Sequence, residues 1–542
     1  MIPEQLVKPA EVYHYSAVYR DFLARDPKIT KYLPVESPAE AAQSIAGTGV
    51  DRNALCDILI RQNEAWHAKP ATMAAIEKLR QEDALCVFTG QQVGLLGGPL
   101  YTLYKAVGVV KMAAKLQMEF DRPVVPVFWM AADDHDFDEI RHFHYIEKDG
   151  SAGKFIFGSE SVEGLPASDI HFDKEDDYNT LVDAVKGAFG ATDFTDELYE
   201  RLFAAYTMDI NFVDSFARLF ADLFPDLGLI FFSPGDVEVK SLSRRFFQKV
   251  VEHYFNVKTL LEETATTLEM DGYHIQAEKK LSAVHLFYHD PSRRAIHFAD
   301  ESYLVGDKQL ALPGLHDLIE RNPERFSPDV LTRPVWQSYL FPVVAHCGGP
   351  GEIAYFCQIG KLFKLFKLTQ PYYFARPSAT IVEPRQEELM IRHGIGLEDF
   401  TDDVEQLINR VLAKFFPEDM DEQLQRFRRR LDNDYEELAN YVVEFDDQLK
   451  PMTEQVYGKL DYALKALEKK IFGRHKKQMK DTRAQIYRLV SALYPYRNVQ
   501  ERSYNVNYYI SKYGPGILDY IIDRLTLDTT DHQMINLSDY RG

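Results

Sequence analysis

Apolar residues along this chain alternate between two arrangements. Short unbroken runs occur at Leu85–Phe88, Val124–Met130, Leu227–Phe232 and Phe341–His346, and between them apolar positions recur every three or four residues. Unbroken runs of that length read as strands buried on both faces, and the three-to-four spacing as helices packed on them. The sum is an α/β protein with a mostly parallel sheet. Residues 85–139 set the pattern: strand, glycine-rich turn (Thr89-Gly90-Gln91-Gln92-Val93-Gly94-Leu95-Leu96-Gly97-Gly98), a helix opened by Pro99, and a second strand running into Asp133-Asp134-His135-Asp136-Phe137-Asp138-Glu139. This is one βαβ unit, with its ionisable cluster at the carboxyl end of a parallel strand, where open α/β sheets bind ligands.

Around this unit the chain divides as follows. Residues 1–81 form a helical layer, with turns at Asp26-Pro27 and Gly47-Thr48-Gly49 and an amphipathic stretch over 53–81 whose Trp66 and Leu79 pack on the sheet. An insertion over about 142–225 begins as a β-hairpin around Asp149-Gly150 and becomes helical; further strands are expected at Val284–Tyr288 and Ala295–Phe298. Residues 331–367 repeat the opening unit, with Gly348-Gly349-Pro350 echoing Gly97-Gly98-Pro99 before a helix over 353–365. If both turns border one crevice, two helix N-termini offer free amides to an anion, each dipole contributing about 0.3–1 kcal/mol. Residues 1–384 thus make a Rossmann-like core.

From about Arg385 the composition becomes charged and helical. Leu424, Phe427, Leu431, Tyr435, Leu438, Val442, Phe445, Leu449, Met452, Val456, Leu460, Leu464, Leu467 and Ile471 are three or four apart throughout, a coiled-coil seam whose expected role is dimerisation. Pro451 interrupts it, and a helical hairpin turning over 445–451 is favoured over one kinked helix. The coiled coil occupies 385–494, and the tail, 495–542, is apolar enough to return to the core.

Composition narrows the function. Against 62 Lys and Arg stand 83 Asp and Glu, a formal charge of −21, which argues against a general nucleic-acid or anionic-membrane surface. The start Met1-Ile2-Pro3-Glu4 has no signal-peptide character and no apolar run reaches the roughly 18 residues of a membrane helix. Four scattered cysteines fit a reducing compartment, so a cytoplasmic protein is expected.

The candidate chemistry lies at the two glycine turns and the acidic cluster. A carboxylate beside His135 can orient the imidazole and leave a base near neutral pH, for which Asp134, His135 and Asp138 are the candidates; His142 and His144 lie close by, but no metal-ligand spacing is present and no metal is assigned. Gln91, Gln92, Tyr101 and Lys105 flank the first turn, and Arg333, Trp336, Gln337 and Glu352 the second. Together they supply amides for hydroxyls, cations for carboxylates and a flat ring for a sugar, a mixture suited to a small polar anion. His346, Cys347 and Cys357 read either as a thiolate site or as packing. Arg502 among tyrosines reads either as a ligand contact or as a helix-end ion pair.

Thr89-Gly90-Gln91-Gln92, Gly98-Pro99-Leu100-Tyr101, Val125-Pro126-Val127-Phe128-Trp129, Asp134-His135-Asp136-Phe137-Asp138-Glu139, Thr332-Arg333-Pro334, Gly348-Gly349-Pro350-Gly351-Glu352-Ile353-Ala354-Tyr355 and Gln500-Glu501-Arg502 occur in this order. In this combination, over essentially its whole length, the chain resembles the cysteine-adding enzymes of bacillithiol biosynthesis. The resemblance implies a Rossmann-type core with connective insertions akin to class I aminoacyl-tRNA synthetases, and a coiled coil that pairs two protomers. It implies a ligase joining the carboxyl of L-cysteine to the amine of glucosaminyl-malate. Substrate contacts would then extend to Gly97, Gly98, Trp129, Gly349, Gly351 and Tyr355. Amide synthesis in water needs an activated acyl group, so ATP or another nucleotide is expected, with Arg502 and Tyr504 as its candidate site. The His-x-Gly-His and Lys-Met-Ser-Lys-Ser signatures of class I synthetases do not occur here. Two other readings compete: a metal-dependent nucleotide-sugar transferase, and a non-catalytic coiled-coil interaction protein.

Overall fold

The computed structural model describes residues 6–8, 15–45, 47–134, 136–158, 164–277, 282–290, 292–415 and 418–542. At its centre lies a five-stranded parallel sheet of β1 (Leu85–Gln91), β2 (Val124–Met130), β3 (Ile230–Phe232), β4 (Val343–Gly348) and β5 (Tyr372–Ala375), in the spatial order β5-β4-β1-β2-β3. The chain steps outward from β1 to β3, then returns to the other side of β1 for β4 and β5. The crevice between β1 and β4 is therefore the switch point of a Rossmann-type sheet.

Alternation along each strand divides the core in two. Leu85, Val87, Phe128, Met130 and Phe231 face the helix α1 (Leu100–Phe120) and the insertion helices. Cys86, Phe88, Val127, Trp129 and Phe232 face the N-terminal helices, the helix α2 (Arg333–Leu340) and the helix α3 (Pro350–Phe366). Strands buried on both faces account for the unbroken apolar runs.

The insertion opens as the expected hairpin, His142–Ile146 against Ala152–Ile156. The strands expected at 284–288 and 295–298 belong to a larger element, a five-stranded antiparallel sheet that also takes in Ser302–Val305, Lys308–Leu310 and Phe326–Pro328. A third sheet joins Leu6–Val7, His532–Asn536 and Ala379–Val382, so segments near both chain ends close on the core, and apart from Leu6–Val7 the regular elements described in the 1–81 layer are helices, as expected.

In the C-terminal part, α4 (Glu418–Phe445) and α5 (Lys450–Gln478) form a hairpin with Pro451 in the first turn of α5, where its missing N–H costs nothing. Arg428 to Asp461 at 2.7 Å and Tyr457 to Asp432 at 2.7 Å tie the antiparallel arms. Helices at Pro384–His393, Val404–Lys414 and Lys480–Leu493 make the base, with a core of Met390, Leu407, Ile408, Ile486 and Leu489 closed by Val7 and Met534. No helix among the described residues is long and apolar enough to cross a membrane.

Candidate functional site

A cavity of about 530 Å³ opens at the switch point, between the carboxyl ends of β1 and β4. Its wall contains Gln91, Gln92, Tyr101, Lys105, Trp129, Asp134, Arg333, Gln337, Gly349, Gly351, Glu352, Tyr355 and Arg502, gathered from segments far apart in sequence. It also contains Gly90, Glu139, Gln276, His346 and Arg376.

Lys105 joins the two sides of the crevice. Its buried ammonium donates to the Gly90 carbonyl and the Gln91 side chain at 2.8 Å each, and pairs with Glu352 at 2.5 Å. Glu352 in turn accepts the Gly349 amide at 2.9 Å and caps α3. One cation therefore fixes both the end of β1 and the start of α3, which explains a Lys held almost wholly out of water.

Opposite lies the acidic rim. Gln92 donates to Glu139 at 2.7 Å and to Asp134 at 3.4 Å, while Arg293 and Arg333 approach Asp134 at 3.9 and 4.0 Å. Partial withdrawal from water, with Asp136 and Asp134 adding like charge, raises Glu139 above the usual carboxylate range. Burial works against the charge of Arg333, and Tyr355 and Asp134 outweigh it, so the guanidinium stays firmly protonated. Asp133, beside this rim, is partly buried and accepts from Lys240 at 2.6 Å; Lys240 also donates to the Phe326 carbonyl, anchoring the acidic turn to the antiparallel sheet. Desolvation alone would raise Asp133, but Lys240 and His289 hold its carboxyl low.

The tail supplies the third side. Arg376 and Arg502 stand over the Tyr101 ring at 5.4 and 5.7 Å, and Arg376 is held by buried Glu501 at 2.5 Å. Burial pushes the Tyr101 phenol up to about 12, with Glu139 adding to the shift and both arginines opposing it.

Several expectations are corrected. Gly97 and Gly98 do not reach the cavity: Gly97, at the far end of the first glycine turn, lies against Phe220 and Leu219, and the leading amide of α1, Leu100 N–H, donates to the Tyr504 carbonyl at 2.8 Å. Pro99 is the N-cap of α1 and not its first residue. Of the two helices that follow the glycine turns, α1 has its leading amide taken by the tail, and α3 is the one that brings its glycine turn, Gly349 to Gly351, to the cavity wall. Asp138 points away from the cavity into water and pairs with Arg141 at 2.6 Å. Tyr504 is fully buried, its hydroxyl donates to the Ser491 carbonyl, and it does not line the cavity that Arg502 borders. Trp336 is a core residue under Lys240, donating to Ser243. Cys347 and Cys357 are buried outside the cavity, and burial pushes both thiols up to about 12, far from thiolates. His135 lies outside the described residues. Among the described residues, no three His, Cys, Asp or Glu side chains are placed to share a metal ion.

Two polar wall residues, Arg376 and Gln276, lie outside the sequence-based expectation. Arg376 directly follows β5, so the rule that ligands gather at carboxyl ends of parallel strands points to it. Gln276 follows an ordinary helix, and nothing local marks it.

Comparison with known proteins agrees with this architecture. Residues 6–377 match the family model described as "Bacillithiol biosynthesis BshC, N-terminal Rossmann-like domain", and residues 379–537 match "Bacillithiol biosynthesis BshC, C-terminal coiled-coil domain". A protein of Salinibacter ruber named "Putative cysteine ligase BshC" is 31% identical over 98% of both chains. Proteins with the same name from Koribacter versatilis (30% identical, 96% of this chain and 98% of the relative) and Geobacillus thermodenitrificans (31%, 86% of each) are similar throughout. The chain belongs to the BshC family of bacillithiol biosynthesis.

Proposed function

We propose that the chain is a cysteine ligase that joins the carboxyl of L-cysteine to the amine of glucosaminyl-malate, the last step of bacillithiol synthesis. The observation that carries this reading is the division of one switch-point cavity into an acidic rim, Asp134 and Glu139, and a basic wall of Lys105, Arg333, Arg376 and Arg502. Malate carboxylates suit Arg333 and the N-terminus of α3; sugar hydroxyls suit Gln91 and Gln92. An amine attacks only after losing its proton, and the acidic rim is the place to take it, with Asp134 and Glu139 as the described bases. His135 keeps its proposed part in that transfer.

Activation of the acyl group is expected to come from a nucleotide. Because the leading amide of α1 is used by Tyr504, the first glycine turn is a poor phosphate cradle, and no step is assigned to the nucleotide here. The enzyme is proposed to act as a cytoplasmic homodimer through the coiled coil, whose Phe427, Leu438, Phe445, Met452 and Leu467 are exposed in the single chain. Sedimentation tests this: replacing Phe445 and Met452 by Glu should give monomers.

The decisive assay is incubation of the whole chain with L-cysteine and glucosaminyl-malate, with and without ATP, reading the thiol product by mass. Product that fails to form in Asp134→Asn and Arg333→Ala supports the ligase. A folded wild-type chain that yields none, while extracts of its source do, removes it.

A further inference from the structure

The cavity floor differs from its walls. Gly90, Trp129, Gln337 and His346 form it, on the face of the sheet covered by α2. Register places them: Gly90 pairs with Trp129 across to β2, and Phe88, two residues earlier on the same face, pairs with His346 across to β4. All four are neutral. Burial pulls the His346 imidazole down to about 4, so it carries no charge at pH 7. Trp129, Gln337 and His346 are each at least nine-tenths buried, and the Trp129 indole N–H, the Gln337 Oε1 and the His346 Nε2 have no hydrogen-bond partner among the described residues. Three unpaired polar atoms beneath one cavity are costly unless a ligand satisfies them.

Gly90 leaves space there. A Cβ on it would meet nothing nearer than the Trp129 carbonyl at 3.6 Å, Trp129 Cβ at 3.7 Å and Gln337 Nε2 at 3.8 Å, so room for a methyl exists that no side chain fills.

Resting on the ligase reading, we infer that this floor is the subsite for the thiol side chain of cysteine. Every charged group of a substrate finds an opposite charge on the walls, which leaves the neutral floor for a neutral group. A thiol is a weak donor and a weak acceptor, and its polarizable sulfur is favourable beside aromatic rings. The indole N–H can donate to sulfur, and the S–H to Gln337 or His346. Serine presents a smaller, strongly hydrated hydroxyl that gains less from these rings.

Calorimetric titration of the whole chain with L-cysteine and with L-serine tests the assignment, alongside the product assay. Wild type should bind cysteine about tenfold more tightly than serine. Gly90→Ala, which fills the space, should weaken cysteine about tenfold while glucosaminyl-malate affinity and the unfolding temperature hold. Gln337→Leu, similar in shape, should weaken cysteine several-fold without lowering stability, since it removes a buried unpaired oxygen. Unchanged cysteine affinity in both variants, or equal affinity for cysteine and serine, overturns the subsite while leaving the ligase intact. A wild-type chain that neither binds cysteine nor makes product removes both.

Discussion

The same three residues, Gly-Gly-Pro, open two helices on adjacent strands of one sheet and meet opposite fates. At the first turn the glycines serve the backbone: Gly97 and Gly98 sit at φ +90° and +70°, and a Cβ on Gly97 would lie 2.9 Å from Phe220. The tail closes this turn, Asn507 donating to the Leu96 carbonyl at 2.8 Å and the Tyr504 carbonyl accepting the Leu100 amide. At the second turn Gly348 is packed as closely, a Cβ there lying 2.9 Å from Ile353, but Gly348, Gly349 and Gly351 have no positive φ, and a Cβ on Gly351 would meet only Gln276 at 4.0 Å. Glycine permits a left-handed backbone in one place, and beyond the packed Gly348 it permits access in the other. What covers each turn decides which, and the cover comes from residues hundreds of positions away.

The largest effect should come from treating the turns alike. Gly97→Ala combines a left-handed backbone with overpacking against Phe220, and should cost about 2–4 kcal/mol, read from the urea midpoint. Gly351→Ala should stay within about 0.5 kcal/mol of wild type while weakening glucosaminyl-malate binding. Equal losses of stability would mean that both turns are structural and would end the distinction.

Next in size is the cation that joins the two sides. Lys105→Met leaves Glu352 partly buried without its partner and should cost about 2 kcal/mol, below the value for a fully buried pair because Glu352 keeps some contact with water. Adding Glu352→Gln should recover part of that loss, the non-additivity expected of side chains in contact. Strict additivity in denaturant unfolding would show that the pair does not link the turns. A smaller loss, about 1 kcal/mol, is expected of Asn507→Ala, which loosens the closed turn and leaves the cavity wall untouched, so substrate affinity should hold.

Sequence carried the parts of this picture that are local. The apolar runs at 85–88 and 124–130 define β1 and β2, and Gln91, Lys105, Arg333 and Glu352 reach the cavity because they flank strand ends or helix starts. The hairpin turn before Pro451 follows from proline's geometry. What did not read locally depends on distant pairing. Leu6–Val7 is a strand only because His532 and Gln533 lie beside it, and Gly97 turns inward because Phe220 and Tyr504 arrive from elsewhere. Asp138 and Glu139 are neighbours of the same type. The short helix at Phe137–Ile140 sends one to Arg141 and the other to Gln92, a difference of direction that composition does not carry.

The smallest predicted effect tests whether charge belongs only to the open side of the comparison. Glu139 is raised by withdrawal from water first, then by Asp136 and Asp134, so as a proton acceptor it should lose activity as pH falls through a point above the ordinary glutamate value of about 4.3. Asp136 accepts the Glu139 amide as the cap of its short helix and does not line the cavity, so Asp136→Asn keeps the cap and removes one like charge. The acid limb should then move to lower pH by a few tenths of a unit. Stability carries the same sign. A carboxyl whose folded pKa lies above its unfolded one favours the folded state at low pH and loses that contribution as pH rises through the folded value, so Glu139→Gln should raise the unfolding temperature at pH 8 by roughly a degree and make no difference below pH of about 4. Asn507→Ala, at the closed turn, should leave the acid limb where it is. If it moves the limb as far as Asp136→Asn does, the two turns share their electrostatics and their different cover is not what separates them.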